Sequence, residues 1–314
     1  MNAYEIGSHF LRWALNDESR AAALDPAHRS DLDWLRVAPF ALLHVLCLAA
    51  IWTGISSTAF FVAVGLYVLR MFAITAFYHR YFSHRAYRVG RVTQFLMAVL
   101  GCTAGQRGPI WWAGHHRQHH ARSDEVDDPH SPRISGFWYS HVVWFLTKGT
   151  FATPIERVRD WRRFPELVWL ERFEWVPFVL LGTSCWMLGA WMQTNVPDAG
   201  TSGAQMFIVG FVWSTVAAYH ATYLTNSVAH RYGKRPFATS DDSRNNALVA
   251  FLTMGEGWHN NHHYYPASAR QGFVWWEFDP SYWILKCLAA LGIVHHLKPV
   301  PDFVMDARGK ERAQ

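Results

Sequence analysis

Histidine carries the chemistry of this sequence. Eighteen histidines occur among 314 residues, and nine of them fall into four short strings. His79-Arg80-Tyr81-Phe82-Ser83-His84 reads HxxxxH. His116-Arg117-Gln118-His119-His120 and His259-Asn260-Asn261-His262-His263 both read HxxHH, and Asn226-Ser227-Val228-Ala229-His230 reads NxxxH. On an α-helix, positions i, i+3 and i+4 share a face, so each HxxHH turns three imidazoles in one direction and NxxxH sets Asn226 beside His230. HxxxxH does not keep to one face of an α-helix and is expected to straddle a helix end. Imidazole suits iron, zinc and copper. Nine histidines exceed the roughly four to six ligands of one such ion, whereas nine histidines plus Asn226 suit two metals with about five ligands each. His9, His28, His44, His130, His141, His220, His295 and His296 read as surface or packed residues. His115, just before the second cluster, is left outside the ligand set.

The pattern argues for paired iron over zinc. A zinc protease of the HExxH type needs a glutamate between its histidines, and no such string occurs. Zinc sites also take three or four protein ligands. Paired non-haem iron can activate O₂ strongly enough to remove hydrogen from an unactivated C–H bond. Soluble di-iron proteins hold their metals with Glu and Glu-x-x-His on a helical bundle; here histidines would take that part.

These histidines need elements to carry them, and the hydropathy pattern supplies them. Four segments, 37–55, 58–78, 175–193 and 204–225, are nearly free of charge, with Arg70 as their one charged residue. At about 1.5 Å per residue each is roughly as long as a hydrocarbon core is thick. A fifth apolar stretch, 92–106, is short for a span and reads as buried or interfacial. The links 56–57 and 194–203 contain no Lys or Arg, whereas residues 79–172 contain 14. The positive-inside rule therefore predicts two helical hairpins with small external turns and a basic cytosolic lobe. All the histidine strings then fall on one side of the membrane. A transporter would place ionisable residues inside its spans, so the pattern disfavours a metal-binding transporter or sensor.

Composition agrees. The 51% hydrophobic content excludes a disordered chain. Four scattered cysteines exclude a disulfide scaffold. The 17 tryptophans suit interfacial belts and apolar tunnels. The net charge of +5 belongs to the lobe and suggests lipid headgroups or a phosphorylated substrate. The N-terminal 36 residues lack a signal-peptide core, and residues 4–15 could form a short interfacial helix.

Taken in order, HRYFSH, HHRQHH, NSVAH and GEGWHNNHH resemble the motifs of membrane fatty acid desaturases of the acyl-CoA (stearoyl-CoA, delta-9) family. Asp128-Pro129-His130, Ser140-His141-Val142 and Ser243-Arg244-Asn245-Asn246 extend the resemblance, which runs from about residue 42 to about residue 301. It implies an all-α integral membrane protein with four transmembrane helices, Arg70 lying roughly where the second leaves the lipid. It also implies a di-iron centre bound by His79, His84, His116, His119, His120, His230, His259, His262 and His263, with Asn226 reaching one iron through water. A kinked tunnel would hold the acyl chain, O₂ would be the cosubstrate, and the product would be a cis double bond at the ninth carbon. Gly108-Pro109-Ile110-Trp111-Trp112 looks more like bacterial members, which leaves acyl-CoA, acyl-carrier protein and acyl lipid open as substrates. The site would face the cytoplasm of a bacterial inner membrane.

No GxGxxG follows a strand and no CxxC occurs, so electrons are expected from an external ferredoxin- or cytochrome-type donor with its reductase. Nucleic acid is not an expected partner. Arg117, Arg122, Arg133, Arg157, Arg159, Arg162 and Arg163 could dock the donor or a CoA phosphate. Trp112, Lys148 and Trp258 are the candidate substrate contacts, with Trp111, Trp275 and Trp276 as further tunnel candidates. The domain plan is a segment 1–36, a desaturase domain 37–301 and a tail 302–314. A related di-iron hydroxylase is the alternative activity.

Overall fold

The computed structural model describes Leu11, residues 13–16 and residues 26–311, the side chains through Arg308. Most of the candidate interfacial helix at 4–15 lies outside the described residues.

Among the described residues four helices are long and apolar enough to cross a membrane: α1 (Trp34–Thr53), α2 (Ser57–Ser83), and two later ones. Between the pairs come two shorter helices, α3 (Arg91–Cys102) and α4 (Pro109–Ala121), then α5 (Pro165–Arg172). The second pair is α6 (Trp175–Asn195) and α7 (Pro197–Ser227). The chain then folds α8 (Ala247–Leu252), α9 (His259–Tyr264), α10 (Pro280–Ala290) and α11 (Asp302–Glu311). Strand structure among the described residues is slight: Arg88–Val89 pairs antiparallel with Val294–His295. The first three spans start within three residues of the sequence expectation, whereas α7 starts at Pro197 rather than 204; α2 and α7 run on past the apolar stretch, as far as Ser83 and Ser227, and so reach the histidine strings.

Local sequence explains the helix starts. Asp33 Oδ1 accepts from Leu35 N at the head of α1, Ser56 Oγ from Ala59 N at the head of α2, and Ser202 Oγ from Gln205 N within α7. Each satisfies a backbone donor that the first turn leaves unpaired. α2 and α7 are central: half and two thirds of their apolar windows are buried, against very little of α1 and α6. The outward faces of α1 and α6 are apolar, with Leu48, Ile51, Trp52, Leu180, Met187 and Trp191 exposed. α6, α7 and α2 approach over small residues: Gly182 lies against Phe211, Gly189 against Ser202 and Met206, and Gly210 against Val62. Arg70 is wholly buried between α2 and α7, where it donates to Thr215 Oγ1 at 2.7 Å and to Ser214 Oγ. The charge that interrupts the apolar run is thus a satisfied clamp between two spans.

The last part of α2 departs from α-helical geometry. Ala73–Ser83 is π-helical, bonded i→i+5, and every residue in it is buried. Ile74, Phe77, Tyr78, Tyr81 and Phe82 form the centre of the largest core cluster, against Met97, Ala98 and Cys102 of α3, Ile110 and Ala113 of α4, and Leu167 and Leu170 of α5. α3, the short apolar stretch, is a packing helix. Gly101 on it meets the Tyr78 ring so closely that an added Cβ would lie 2.0 Å from it.

Candidate metal centre

The nine histidines of the four strings converge. His79 and His84 come from the end of α2, His116, His119 and His120 from α4, His230 from the turn after α7, and His259, His262 and His263 from α9. They sort into two groups. His79, His84, His116, His120 and His262 form one, and His119, His230, His259 and His263 form the other. Each HxxHH helix serves both: its i, i+4 pair goes to one group and its i+3 residue to the other.

The π-helix solves the HxxxxH problem. His84 N donates to His79 O at 3.2 Å, the i→i+5 bond, and brings the two rings to 4.9 Å between centroids. The string does end the helix, as expected, but it is the wider winding that puts both rings on one face.

Backbone anchors aim the two ligand helices. At the head of α4, Glu171 accepts from Ile110 N at 2.9 Å and Trp111 N at 2.8 Å, and Glu174 accepts from Gly108 N. Two carboxyl groups, Glu171 and Glu174, thus meet the positive end of α4. Their approach needs Gly108, since a Cβ there would sit 2.3 Å from Glu171 Oε2. Burial, and then the Glu174 carboxylate, push Glu171 up to about 8. α9 is pinned by the two asparagines between its histidines. Asn245 Oδ1 accepts from the backbone N of Asn260 and Asn261, and Asn261 Nδ2 donates to Glu277 Oε2 at 2.8 Å.

Carboxylates orient the imidazoles. His119 Nδ1 donates to Asp128 at 3.0 Å, His230 Nδ1 to Asp124 at 3.0 Å and His263 Nδ1 to Asp241 at 2.6 Å; His79 Nδ1 pairs with Glu256. Burial would raise Asp124, Asp128 and Asp241, but His230, His119 and His263 respectively outweigh it and hold them below the ordinary carboxylate range. Burial first, and crowding with other imidazoles second, push His84, His116, His120, His259 and His262 well below the ordinary imidazole value. Burial takes His263 to about 4 against the pull of Asp241.

This donor set fits metal ions. With Nδ1 protonated toward a carboxylate, the Nε2 of His119, His230 and His263 is a bare lone pair. Yet His230 Nε2 and His263 Nε2 each lie 3.0 Å from His259 Nε2, and His119 Nε2 lies 3.4 Å from His263 Nε2. In the other group His79–His262, His262–His120 and His84–His116 approach at 3.0, 2.9 and 2.8 Å between Nε2 atoms. Facing lone pairs repel unless a cation lies between them. Two nitrogens each about 2.1 Å from one ion, at right angles, stand about 3.0 Å apart. The carboxylate–histidine arrangement is what orients metal ligands generally.

A largely apolar cavity of about 270 Å³ reaches this centre. Its wall includes His79, His116, His119 and His259, with Asn226 among them, and Phe40, Leu43, Met71 and Ile74 farther along. Trp112 lines it and stacks on His116 at 5.0 Å. Gln106 Nε2 donates to Thr222 Oγ1 at 3.0 Å on the same wall.

Comparison with known proteins agrees. The family model for fatty acid desaturases matches residues 55–296. The chain belongs to the fatty acid desaturase family. It is 37% identical to an acyl-CoA 5-desaturase of Anemone leveillei over 266 residues, 83% of this chain and 78% of that one. It is 33% identical to an sn-2 palmitoyl-lipid 9-desaturase of Nostoc sp. (strain 36), covering 90% of this chain and 95% of that one. A palmitoyl-monogalactosyldiacylglycerol delta-7 desaturase of Arabidopsis thaliana is 35% identical, with 85% and 69% covered. The desaturase is therefore a membrane oxidoreductase acting on fatty acyl chains.

Other sequence-expected contacts are dispersed. Trp111 lines the cavity. Trp258 does not; it is buried and donates Nε1–H to Phe278 O. Lys148 is ion-paired to Asp31 at 3.0 Å and is not among the cavity-lining residues. Trp275 and Trp276 are exposed. Arg117 is engaged by Asp160 and by the carbonyls of Phe82 and Ser83. Sequence reasoning gave no role to Asp124, Asp128, Asp241 or Glu256; the acidic run just after His120 was the available signal for the first two, and Asp128 and Glu256 entered only as motif text. It also set aside His44, His220 and His141 singly. They form a hydrogen-bonded chain: His44–His220 at 3.1 Å, His220–His141 at 3.1 Å, and His141–Ser227 at 2.9 Å, beside Asn226.

Proposed function

We propose that the protein is an O₂-dependent fatty acyl desaturase that introduces a cis double bond at the ninth carbon of an acyl-CoA or acyl-lipid substrate. The observation that carries this reading is the junction of two converging histidine groups with one apolar cavity. Two irons held by the nine histidines, with Asn226 on the adjoining cavity wall, would supply O₂ activation and removal of two hydrogens from adjacent carbons. The protein's own residues do the rest. Asp124, Asp128, Asp241 and Glu256 keep the Nε2 lone pairs of their histidines free and aimed inward. The apolar wall excludes water, and the bond between Gln106 and Thr222 fixes the cavity shape that selects which carbons lie at the metals. Electrons come from an external ferredoxin- or cytochrome-type donor with its reductase. The basic side of the chain, with the metal centre, faces the cytoplasm of a bacterial inner membrane.

Position nine is supported by the 9-desaturases among the relatives, beside others that act at positions five and seven. The test is the fatty acid profile of a bacterial host without a desaturase, expressing this chain or His262→Ala in air together with a donor system. A new cis monoene, absent from the variant, is expected, and mass spectrometry of derivatised esters gives its position. A hydroxylated product, or none, overturns the reading.

A further inference from the structure

A second cavity, of about 220 Å³, reaches the metal centre by a different wall. Ser123, Thr239, Ser240 and Asp241 give it a polar lining, and its floor is His120 and His263. These two histidines belong to different metal groups. Neither histidine lines the apolar cavity, and none of the ligands on the apolar wall lines this cleft. Ser123 Oγ is buried at the cleft without a hydrogen-bond partner in the protein. Asp241 lines the cleft, with Oδ2 on His263 Nδ1 and Oδ1 accepting from Ser243 N at 3.0 Å.

Desaturation has an aqueous balance that an acyl-filled cavity cannot serve. One O₂ takes two hydrogen atoms from adjacent carbons, two electrons from a one-electron carrier protein and two protons from solvent. The C–C bond becomes a double bond, and both oxygens leave as water. With an acyl chain filling the largely apolar cavity, that route is occupied and offers water little room. The polar cleft offers partners throughout and has room for ordered water.

We propose that this cleft is the aqueous port of the metal centre, through which protons and hydrated metal ions enter and product water leaves while the acyl chain occupies the other cavity. The proposal rests on the desaturase reading for its proton and water traffic, but its test does not. Ala238 and Ser240 are exposed residues on the cleft wall and hold no ligand in place. Ala238→Trp and Ser240→Trp fill the cleft from its outer side; Ser240→Ala leaves it open. Full-length protein is stripped of metal, placed in lipid nanodiscs with a saturated acyl ligand bound, and mixed with Co²⁺, whose visible absorbance reports coordination. Wild type and Ser240→Ala load at one rate. The tryptophan variants are expected to load roughly tenfold or more slowly and to reach the same final stoichiometry, which shows that they are folded. Equal rates in all variants, with loading blocked instead by the acyl ligand, overturn the port. Failure of the desaturase reading would appear separately, as a missing monoene in cells beside slowed Co²⁺ loading.

Discussion

His79 and His84 stand five residues apart in the chain, yet their rings meet edge to face at 4.9 Å in one metal group. An α-helix would pair His79 with position 83 instead; the π-helical winding of Ala73–Ser83 makes position 84 its neighbour. Exchanging the two side chains, as the double variant Ser83→His/His84→Ser, would preserve the pair on an α-helix. Here it is expected to lose the first metal group while the second still loads. Metal analysis of purified protein checks this, and full metal content in the double variant would contradict the π-helical assignment.

Asp241 orients His263 at 2.6 Å, while the side chain of its neighbour Asp242 makes long pairs with Arg133 and Arg235 at 3.9 and 3.7 Å and its backbone N donates to Asp124. Loss of a carboxylate behind a ligating histidine weakens metal binding by about 10–100-fold. Asp241→Asn is expected to show that loss in competition with a chelator, and Asp242→Asn is expected to match wild type.

Glu171 gives a pH dependence with a definite sign. Its folded value, about 8, lies above its ordinary value of 4.5, because burial and the Glu174 carboxylate both disfavour the charged form. A raised carboxyl stabilises the fold fully below its unfolded value, and the contribution fades as pH rises through the folded one. As pH rises from the ordinary carboxyl value toward the folded one, the wild type is therefore expected to lose stability relative to Glu171→Gln, which cannot ionise, on the order of 1 kcal/mol per pH unit. Thermal melts of both proteins in detergent across that range measure the difference, and parallel curves would remove Glu171 as the titrating group.

His220 joins two helices and the segment beside Asn226. His220→Ala leaves His44 and His141 each without an imidazole partner, at a cost of about 1–3 kcal/mol for each group left unsatisfied. The melting midpoint is expected to fall while metal content stays at the wild-type level, because none of the three histidines is in either metal group. Reduced metal content would instead place the chain among the supports of the centre.

The sequence by itself singled out the four histidine strings, the number of metals they suit and the long apolar helices. It could do so because helical periodicity and apolar length are local properties, written in consecutive residues. HxxHH names three ligands wherever the helix sits, and an uncharged run of some twenty residues announces a span without its neighbours. Tertiary structure decided which histidines gather in which group. Within one HxxHH the i+3 residue parts from the i, i+4 pair, because the second group is completed by His230, from beyond α7. It also decided the carboxylate partners: Asp128 lies 9 residues from His119, Asp241 22 from His263 and Asp124 106 from His230, a set of separations with no period to read. Lys148 shows the same limit for substrate contacts. Its charge is visible in sequence, but its engagement by Asp31, 117 residues away, exists only once the chain has folded.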